Sequence, residues 1–434
     1  MRNWGAALND IQAIERFGKV LQVVGPLVEG YLPGAVVGDC CEILPDNGRS
    51  SVLADVVGFR ESRALMMPFQ DVRGVGVGSE IRLTKDKASV PAGEELLGRV
   101  IDALGNPIDQ LGALNPSRRI PLEKGPVNPL KRELISEPLD VGIRVVNALT
   151  TIGKGMRMAI FSGSGVGKSV MLGMMAKFTK ADVVVIALVG ERGREVAEFI
   201  ELSLGQEGIS RSVLVVATAD EAPILRIRAG FLATAIAEYF CSEGKDVLLL
   251  MDSLTRLAMA QREVGLSVGE PPTTKGYTPS VFSLLPRIME RAGSFKGEGS
   301  ITGLYTVLVE GDDIAFDGIS DAIRAVSDGH IILSRELAFQ NIYPAVDVLR
   351  SISRVMSRVG QKDHLELANN FRDMLANYQK AEDLINIGAY ARGSNPKIDT
   401  AIAKHDKMLS FIRQGQNERV DMTKSVAQLK ELFR

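Results

Sequence analysis

Hydrophobic positions change their spacing three times along the chain, and each change marks a different kind of element. Over residues 1–18, Trp4, Leu8, Ile11, Ile14 and Phe17 recur three or four apart, with Asn9, Asp10, Gln12 and Glu15 between them. That is one apolar stripe on an amphipathic helix. The stripe can pack on the chain's own domain or serve as a partner-binding extension, and both readings stay open. From 19 to 90 the pattern turns to short β-prone runs (Val20–Val24, Ala35–Leu44, Ser51–Phe59, Ala64–Pro68, Glu80–Leu83) cut by glycine, proline and aspartate. Short, regularly spaced strands of this kind predict a small β-barrel.

Residues 90–150 read as turns and a proline-rich connector (Pro116, Pro121, Pro126, Pro129, Pro138) leading into the main domain, which is expected to span 91–350. From Met158 the period alternates. Apolar runs (Met158–Phe161, Ala181–Val189, Ser212–Thr218, Val247–Asp252, Gly303–Glu310, Gly329–Leu333) are interleaved with helical stretches at Glu195–Leu204 and Pro223–Ser242. Continuous apolar strands alternating with helices predict an α/β domain with a parallel sheet. After about Ser351 the β signal stops, and Ala368–Asn377, Gln379–Gly388, Ile398–Ile412 and Met422–Leu432 predict a closing helical domain, 351–434.

Composition narrows the class. The 434 residues carry a formal net charge of −2, and the barrel's expected strands offer only Tyr31, Phe59 and Phe69 as aromatics, without a basic run. A nucleic-acid partner is therefore not expected. The three cysteines, Cys40, Cys41 and Cys241, include no C-x-x-C pair, which fits a reduced cytoplasmic protein. The longest apolar runs fall far short of the roughly 18 residues that span a bilayer, and the first residues hold no long apolar segment of a signal peptide.

The chemistry centres on Ser162-Gly163-Ser164-Gly165-Val166-Gly167-Lys168-Ser169-Val170, which follows a β run and opens a helical one. Without Cβ atoms at Gly163, Gly165 and Gly167, successive backbone N–H groups can close round a polyphosphate, and the following helix adds its positive end. Lys168 would reach the β/γ phosphates and the Ser169 hydroxyl would bind Mg²⁺. Asp252 ends an apolar strand where a carboxylate can hold the metal. Glu191, in Val189-Gly190-Glu191-Arg192-Gly193-Arg194-Glu195, can polarise a water, and Arg192 beside it can contact the γ-phosphate.

Four longer runs carry a family resemblance: Gly190 to Glu195, Asp252 to Glu263, Gly269 to Ser280 and Pro344 to Ser353. They resemble the superfamily of rotary (F- and V-type) and type III secretion ATPases and, within it, the flagellar protein export ATPases. The resemblance runs from about Val20 to the C-terminus. It implies a RecA-like P-loop core between an N-terminal β-barrel and a C-terminal helical domain, with ATP and Mg²⁺ as ligands. Carried over by position, it implies Lys168 and Ser169 at phosphate and metal, Glu191 as catalytic carboxylate, Arg192 near the γ-phosphate and Asp252 at the metal. Tyr343 is implied to stack on adenine, and Arg354 to reach a neighbouring subunit's nucleotide as an arginine finger. Ser162 stands where the family usually has Ala or Gly. Glu191 matches the catalytic members, whose non-catalytic relatives carry Gln there.

The implied function is ATP hydrolysis in the flagellar type III export apparatus, releasing and unfolding export substrates and detaching their chaperones. The implied setting is a homohexamer at the cytoplasmic face of the inner membrane. The implied partners are a stator-like export regulator, a central stalk protein, the export gate, chaperones and cargo, and membrane association would be peripheral. The alternative is the ATPase of a virulence-type injectisome, and a hexameric nucleic-acid motor is a more distant one.

Overall fold

The computed structural model describes residues 17–45, 50–84, 89–309 and 318–433. Residues 1–16, where most of the expected amphipathic helix falls, lie outside them.

Six strands close the N-terminal barrel: β1 (Phe17–Val24), β2 (Leu27–Tyr31), β3 (Cys40–Leu44), β4 (Val52–Arg60), β5 (Arg63–Pro68) and β6 (Glu80–Leu83), in the order β1-β2-β5-β4-β3-β6. Alternate residues point inward, and Val20, Val28, Ile43, Ala54, Val56, Met66 and Ile81 fill the interior. Closure leaves no free edge. β1 begins at Phe17, so Phe17 and Gly18 belong to the barrel, although the sequence pattern predicts a helix running through them. Phe17 pairs with Arg82 of β6, whose guanidinium lies 5.0 Å from the ring centroid. Gly18 is required for closure, since a Cβ there would meet the Tyr31 carbonyl at 2.2 Å. β2 was hidden in the sequence because Glu29 and Gly30 break its apolar run, yet Glu29 is buried by ion pairing with Arg60 at 3.0 Å. The expected strand Ala35–Leu44 is a strand only from Cys40 onward. Before it, a turn is held by Asp39, whose carboxylate accepts the Val36 N–H at 2.9 Å.

The central sheet has nine strands. Its path runs Ile352–Ser353, Gly329–Leu333, Arg157–Ser162, Ser300–Leu308, Asp246–Asp252, Val183–Glu191, Ser212–Thr218, Val100–Ile101, and Gly293–Ser294 pairs beside Ser300–Leu308. All pairings are parallel except those of Ile352–Ser353 and Gly293–Ser294. Both faces are buried, which explains the continuous apolar runs. Val183, Val185, Ala187 and Val189 pack on the side of helices Pro223–Ser242, Leu254–Val268 and Pro279–Met289. Val184, Ile186 and Leu188 pack on the side of helices Lys168–Phe178 and Arg144–Leu149.

The stretch read as a connector contributes structure of its own. Val100–Ile101 joins the sheet against Leu214 and Val215, and Ser89–Ala92 pairs with Arg118–Pro121. The expected helix Glu195–Leu204 begins as an α-helix, Gly193–Glu198, and widens to a π-helix over Phe199–Leu204. The wide turn presses on Gly173, where a Cβ would meet the Ser203 carbonyl at 2.8 Å.

In the C-terminal domain the two helices expected at 368–388 are one, Lys362–Asn386. No glycine or proline interrupts that stretch, and Tyr378 in its middle stacks on His405 of helix Pro396–Ile412 with centroids 3.5 Å apart. The domain is tied to the sheet domain through Asn147, which is fully buried. Its side-chain amide donates to Asp140 Oδ1 at 2.8 Å and to the Val420 carbonyl at 3.1 Å, and accepts the Val141 N–H at 3.2 Å. Replacing Asn147 with Leu keeps the volume and removes all three bonds, leaving buried polar groups unpaired. The thermal or denaturant midpoint is expected to fall by the equivalent of about 1–3 kcal/mol, read by circular dichroism; an unchanged midpoint would show that the junction does not depend on this amide.

Candidate active site

The parallel sheet presents the C-terminal ends of its strands along one edge, where open α/β sheets bind ligands. Three of those ends supply the site. Arg157–Ser162 runs into the glycine-rich loop, and helix Lys168–Phe178 follows, with Gly167 before it in the left-handed region at φ +83. Gly165, at φ +78, also needs the freedom of glycine. Val183–Glu191 ends on Glu191 and Asp246–Asp252 ends on Asp252.

Lys168 joins the three. Its Nζ lies 2.5 Å from Asp252 Oδ1 and 3.7 Å from Glu191 Oε1, with all three side chains mostly shielded from solvent. Asp252 Oδ1 also accepts from the Thr306 hydroxyl at 2.7 Å. Glu191 Oε1 is beyond hydrogen-bond reach of the ammonium and is a buried oxygen without a hydrogen-bond partner among the described residues. Burial, and then the neighbouring Asp252 charge, push the Glu191 carboxyl up to about 7, while Lys168 pulls it down. A carboxylate poised near neutrality, with an unsatisfied oxygen, is suited to hold and polarise a water.

Lys168 and Glu191 line a cleft of about 780 Å³, whereas Asp252 is buried and reaches it only through its contact with Lys168. Gly163, Ser164, Gly165, Gly167, Lys168, Ser169 and Val170 form its floor, Glu191 and Arg192 its wall. Arg192 is exposed and ion-pairs with Glu195 at 3.8 Å. Val166 is buried under the loop and Ser162 is fully buried at the strand end, so neither presents its side chain to the cleft. Tyr343 packs beside the loop, where a Cβ on Gly167 would meet its ring at 3.2 Å. Arg354 is not in the cleft of its own chain. It is exposed beyond the edge strand, its Nη1 donating to the Ser327 carbonyl at 3.3 Å.

Several lining residues were not singled out from sequence. Arg256, Arg262, Lys275 and Tyr277 lie within the runs Asp252–Glu263 and Gly269–Ser280, whose conspicuous length was the available signal. Arg335 packs against the loop, where a Cβ on Gly163 would come within 2.7 Å of its Nε. Thr306 carried no distinguishing signal in the sequence, since its strand also holds Ser300, Thr302 and Tyr305.

The donors suit a hard cation. Among the described residues no cluster of three or more His, Cys, Asp or Glu could cage a metal, whereas one hydroxyl, Ser169, and one carboxylate, Asp252, stand by the phosphate loop. Mg²⁺ is commonly held by this sparse oxygen set together with substrate phosphates, so the residues fit it.

Comparison with known proteins agrees with this geometry. Residues 142–353 match the nucleotide-binding domain of the ATP synthase alpha/beta family, 20–85 its beta-barrel domain, and 361–431 the T3SS EscN ATPase C-terminal domain. The chain is 51% identical to a flagellum-specific ATP synthase of Bacillus subtilis over 96% of this chain and 95% of that one. It is 47% identical to a type 3 secretion system ATPase of Xanthomonas euvesicatoria over 92% and 90%. Among solved structures, the assembled ATPase EscN of the enteropathogenic E. coli type III secretion system superposes with a TM-score of 0.90 at 41% identity, covering 96% of this chain and 100% of that one. Barrel, sheet domain, helical domain and phosphate-loop site together place the chain in the flagellar protein export ATPase family, within the ATP synthase alpha/beta superfamily.

Proposed function

We propose that the chain hydrolyses ATP in a homohexameric ring of the flagellar type III export apparatus, with each site completed by the neighbouring subunit. The energy released frees and unfolds export substrates and detaches their chaperones. The observation that carries the reading is Glu191: a shielded carboxylate facing the cleft beside Lys168, with an oxygen that has no hydrogen-bond partner among the described residues. A subunit that only bound nucleotide would not need an acid there.

Lys168 and the backbone N–H groups from Gly163 to Ser169 hold the phosphates, Ser162 to Val170 forming the loop. Ser169 and Asp252 would hold Mg²⁺, which when bound neutralises charge on the β- and γ-phosphate oxygens. Glu191 orients the attacking water and draws a proton from it. Arg192 swings over the γ-phosphate, and Tyr343 supplies a ring for adenine. Arg354, exposed and outside its own cleft, is placed to serve another subunit's nucleotide. That reading is supported by a relative: the EscN ATPase has been solved in assembled form, and with its central stalk EscO at a TM-score of 0.88 to this chain.

A central stalk, a stator-like export regulator, the export gate, chaperones and cargo are the partners that follow. No helix among the described residues is long and apolar enough to cross a membrane, so attachment at the cytoplasmic face of the inner membrane would run through those partners. The virulence-type alternative draws on the C-terminal match to a type III secretion ATPase domain over 361–431, and is outweighed by the flagellum-specific relative at 51% identity over nearly the whole chain. Flagellar or injectisome genes beside this one would decide between them.

Glu191→Gln should keep ATP binding while hydrolysis drops by roughly two or more orders of magnitude, since an amide cannot take the proton. Lys168→Ala should weaken binding itself. Phosphate release and nucleotide titration read the two separately, and near-normal turnover in Glu191→Gln would move the catalytic role elsewhere.

Arg354→Ala should bind ATP normally and hydrolyse poorly, by about 10³ to 10⁵ if it acts as arginine fingers generally do. Mixing Arg354→Ala with Glu191→Gln subunits should restore part of the activity, because some interfaces then pair an intact Glu191 with an intact Arg354. Mixed rings as inactive as their components would count against a shared site.

Deleting residues 1–16 spares β1 and should leave the thermal midpoint unchanged while abolishing association with the stator-like regulator. A large loss of stability would show instead that the segment is packed core.

A further inference from the structure

Thr306 is a fully buried hydroxyl on the strand Ser300–Leu308. The parallel register sets Leu250 beside Leu304 and Met251 beside Tyr305, which brings Thr306 alongside Asp252 at the sheet's C-terminal edge. Its Oγ lies 2.7 Å from Asp252 Oδ1 and 3.3 Å from the Met251 carbonyl. A hydroxyl has one proton to give, and the nearer, charged acceptor takes it. The same Asp252 oxygen holds Lys168 Nζ at 2.5 Å. Among the described residues these two are the donors to the Asp252 side chain.

We propose that Thr306 is the positioning residue that keeps Asp252 aimed at the metal of a bound nucleotide. The inference rests on the assignment of Asp252 to Mg²⁺ made above. Lys168 cannot do this work while nucleotide is bound, because its ammonium is then drawn to the phosphates and away from Asp252. Asp252 would at that moment lose its cationic partner, and a buried carboxylate with no donor is both costly and free to change rotamer. Thr306 stays. Its β-branched side chain is locked on a central strand, its hydroxyl is neutral, and it does not interact with the phosphates. Fixing Oδ1 from the strand side leaves the rest of the carboxylate to the metal's water shell.

The test is calorimetric titration of the full chain with ADP, in Mg²⁺ and in EDTA, for wild type, Thr306→Val, Thr306→Ser and Asp252→Asn. Valine keeps the branched shape and removes the donor. Thr306→Val should lose roughly 10-fold to 100-fold of the affinity that Mg²⁺ adds, the range for a hydrogen bond to a charged group, with affinity in EDTA unchanged. Serine should restore the gain. A wild-type Mg²⁺ gain in Thr306→Val, an equal loss with and without Mg²⁺, or a serine variant as poor as valine would each overturn the role of the hydroxyl. If Asp252→Asn retained the full Mg²⁺ gain, the metal assignment itself would fall, an outcome distinct from a defective Asp252→Asn beside a normal Thr306→Val.

Discussion

One ammonium between two carboxylates sets the terms for this molecule. Lys168 lies within 3.7 Å of both Asp252 and Glu191, in a shielded cleft where a lone charge would be expensive. Two acids and one base leave a net negative cluster, and the burden falls on Glu191, whose proton is held up to about 7. A polyphosphate arriving with a divalent cation resolves the imbalance from both sides: the lysine gains an anion and the acids gain a metal. The charges of the site thus favour the ligand, and the arrangement exists only because three parallel strands bring their C-terminal ends to one edge of the sheet in a fixed, staggered register.

The rest of the fold serves that register. Strands buried on both faces can neither slide nor twist out of line without exposing a row of apolar side chains, so Ser162, Glu191 and Asp252 hold their relative positions. Thr306 on the intervening strand is placed by the same rule. The barrel and the helical domain lie away from the chemistry but are joined to the sheet domain by buried polar contacts. Asp55 of β4 stands 3.9 Å from Arg228 of the helix Pro223–Ser242, and Asn147 bonds to the Val420 carbonyl.

Elements with a clean period were legible in the sequence. Six of the nine sheet strands, the helix Pro223–Ser242 and the terminal helix Met422–Leu432 stand at or within a few residues of where apolar spacing put them. Those that tertiary packing creates were not. Val100–Ile101 is too short to show a period and is a strand only because Ser212–Thr218 offers it an edge. β2 contains a charged residue that burial in an ion pair makes tolerable. Phe17 continues a helical stripe on paper, yet the barrel claims it for β1.

The same division holds at the site. The amino-acid order alone determined which residues could do the chemistry: the glycine-rich loop with Lys168 and Ser169, Glu191 after one strand, Asp252 after another. Each has its backbone context written beside it, and local context is what a sequence carries. Only the tertiary structure decided the distances among them, the burial that raises Glu191, the hydroxyl of Thr306 on Asp252, Arg335 against Gly163, and the removal of Arg354 from its own cleft. Those relations join residues far apart in the chain, and nothing local to any one of them encodes its partner. Packing of the parallel sheet brings them together.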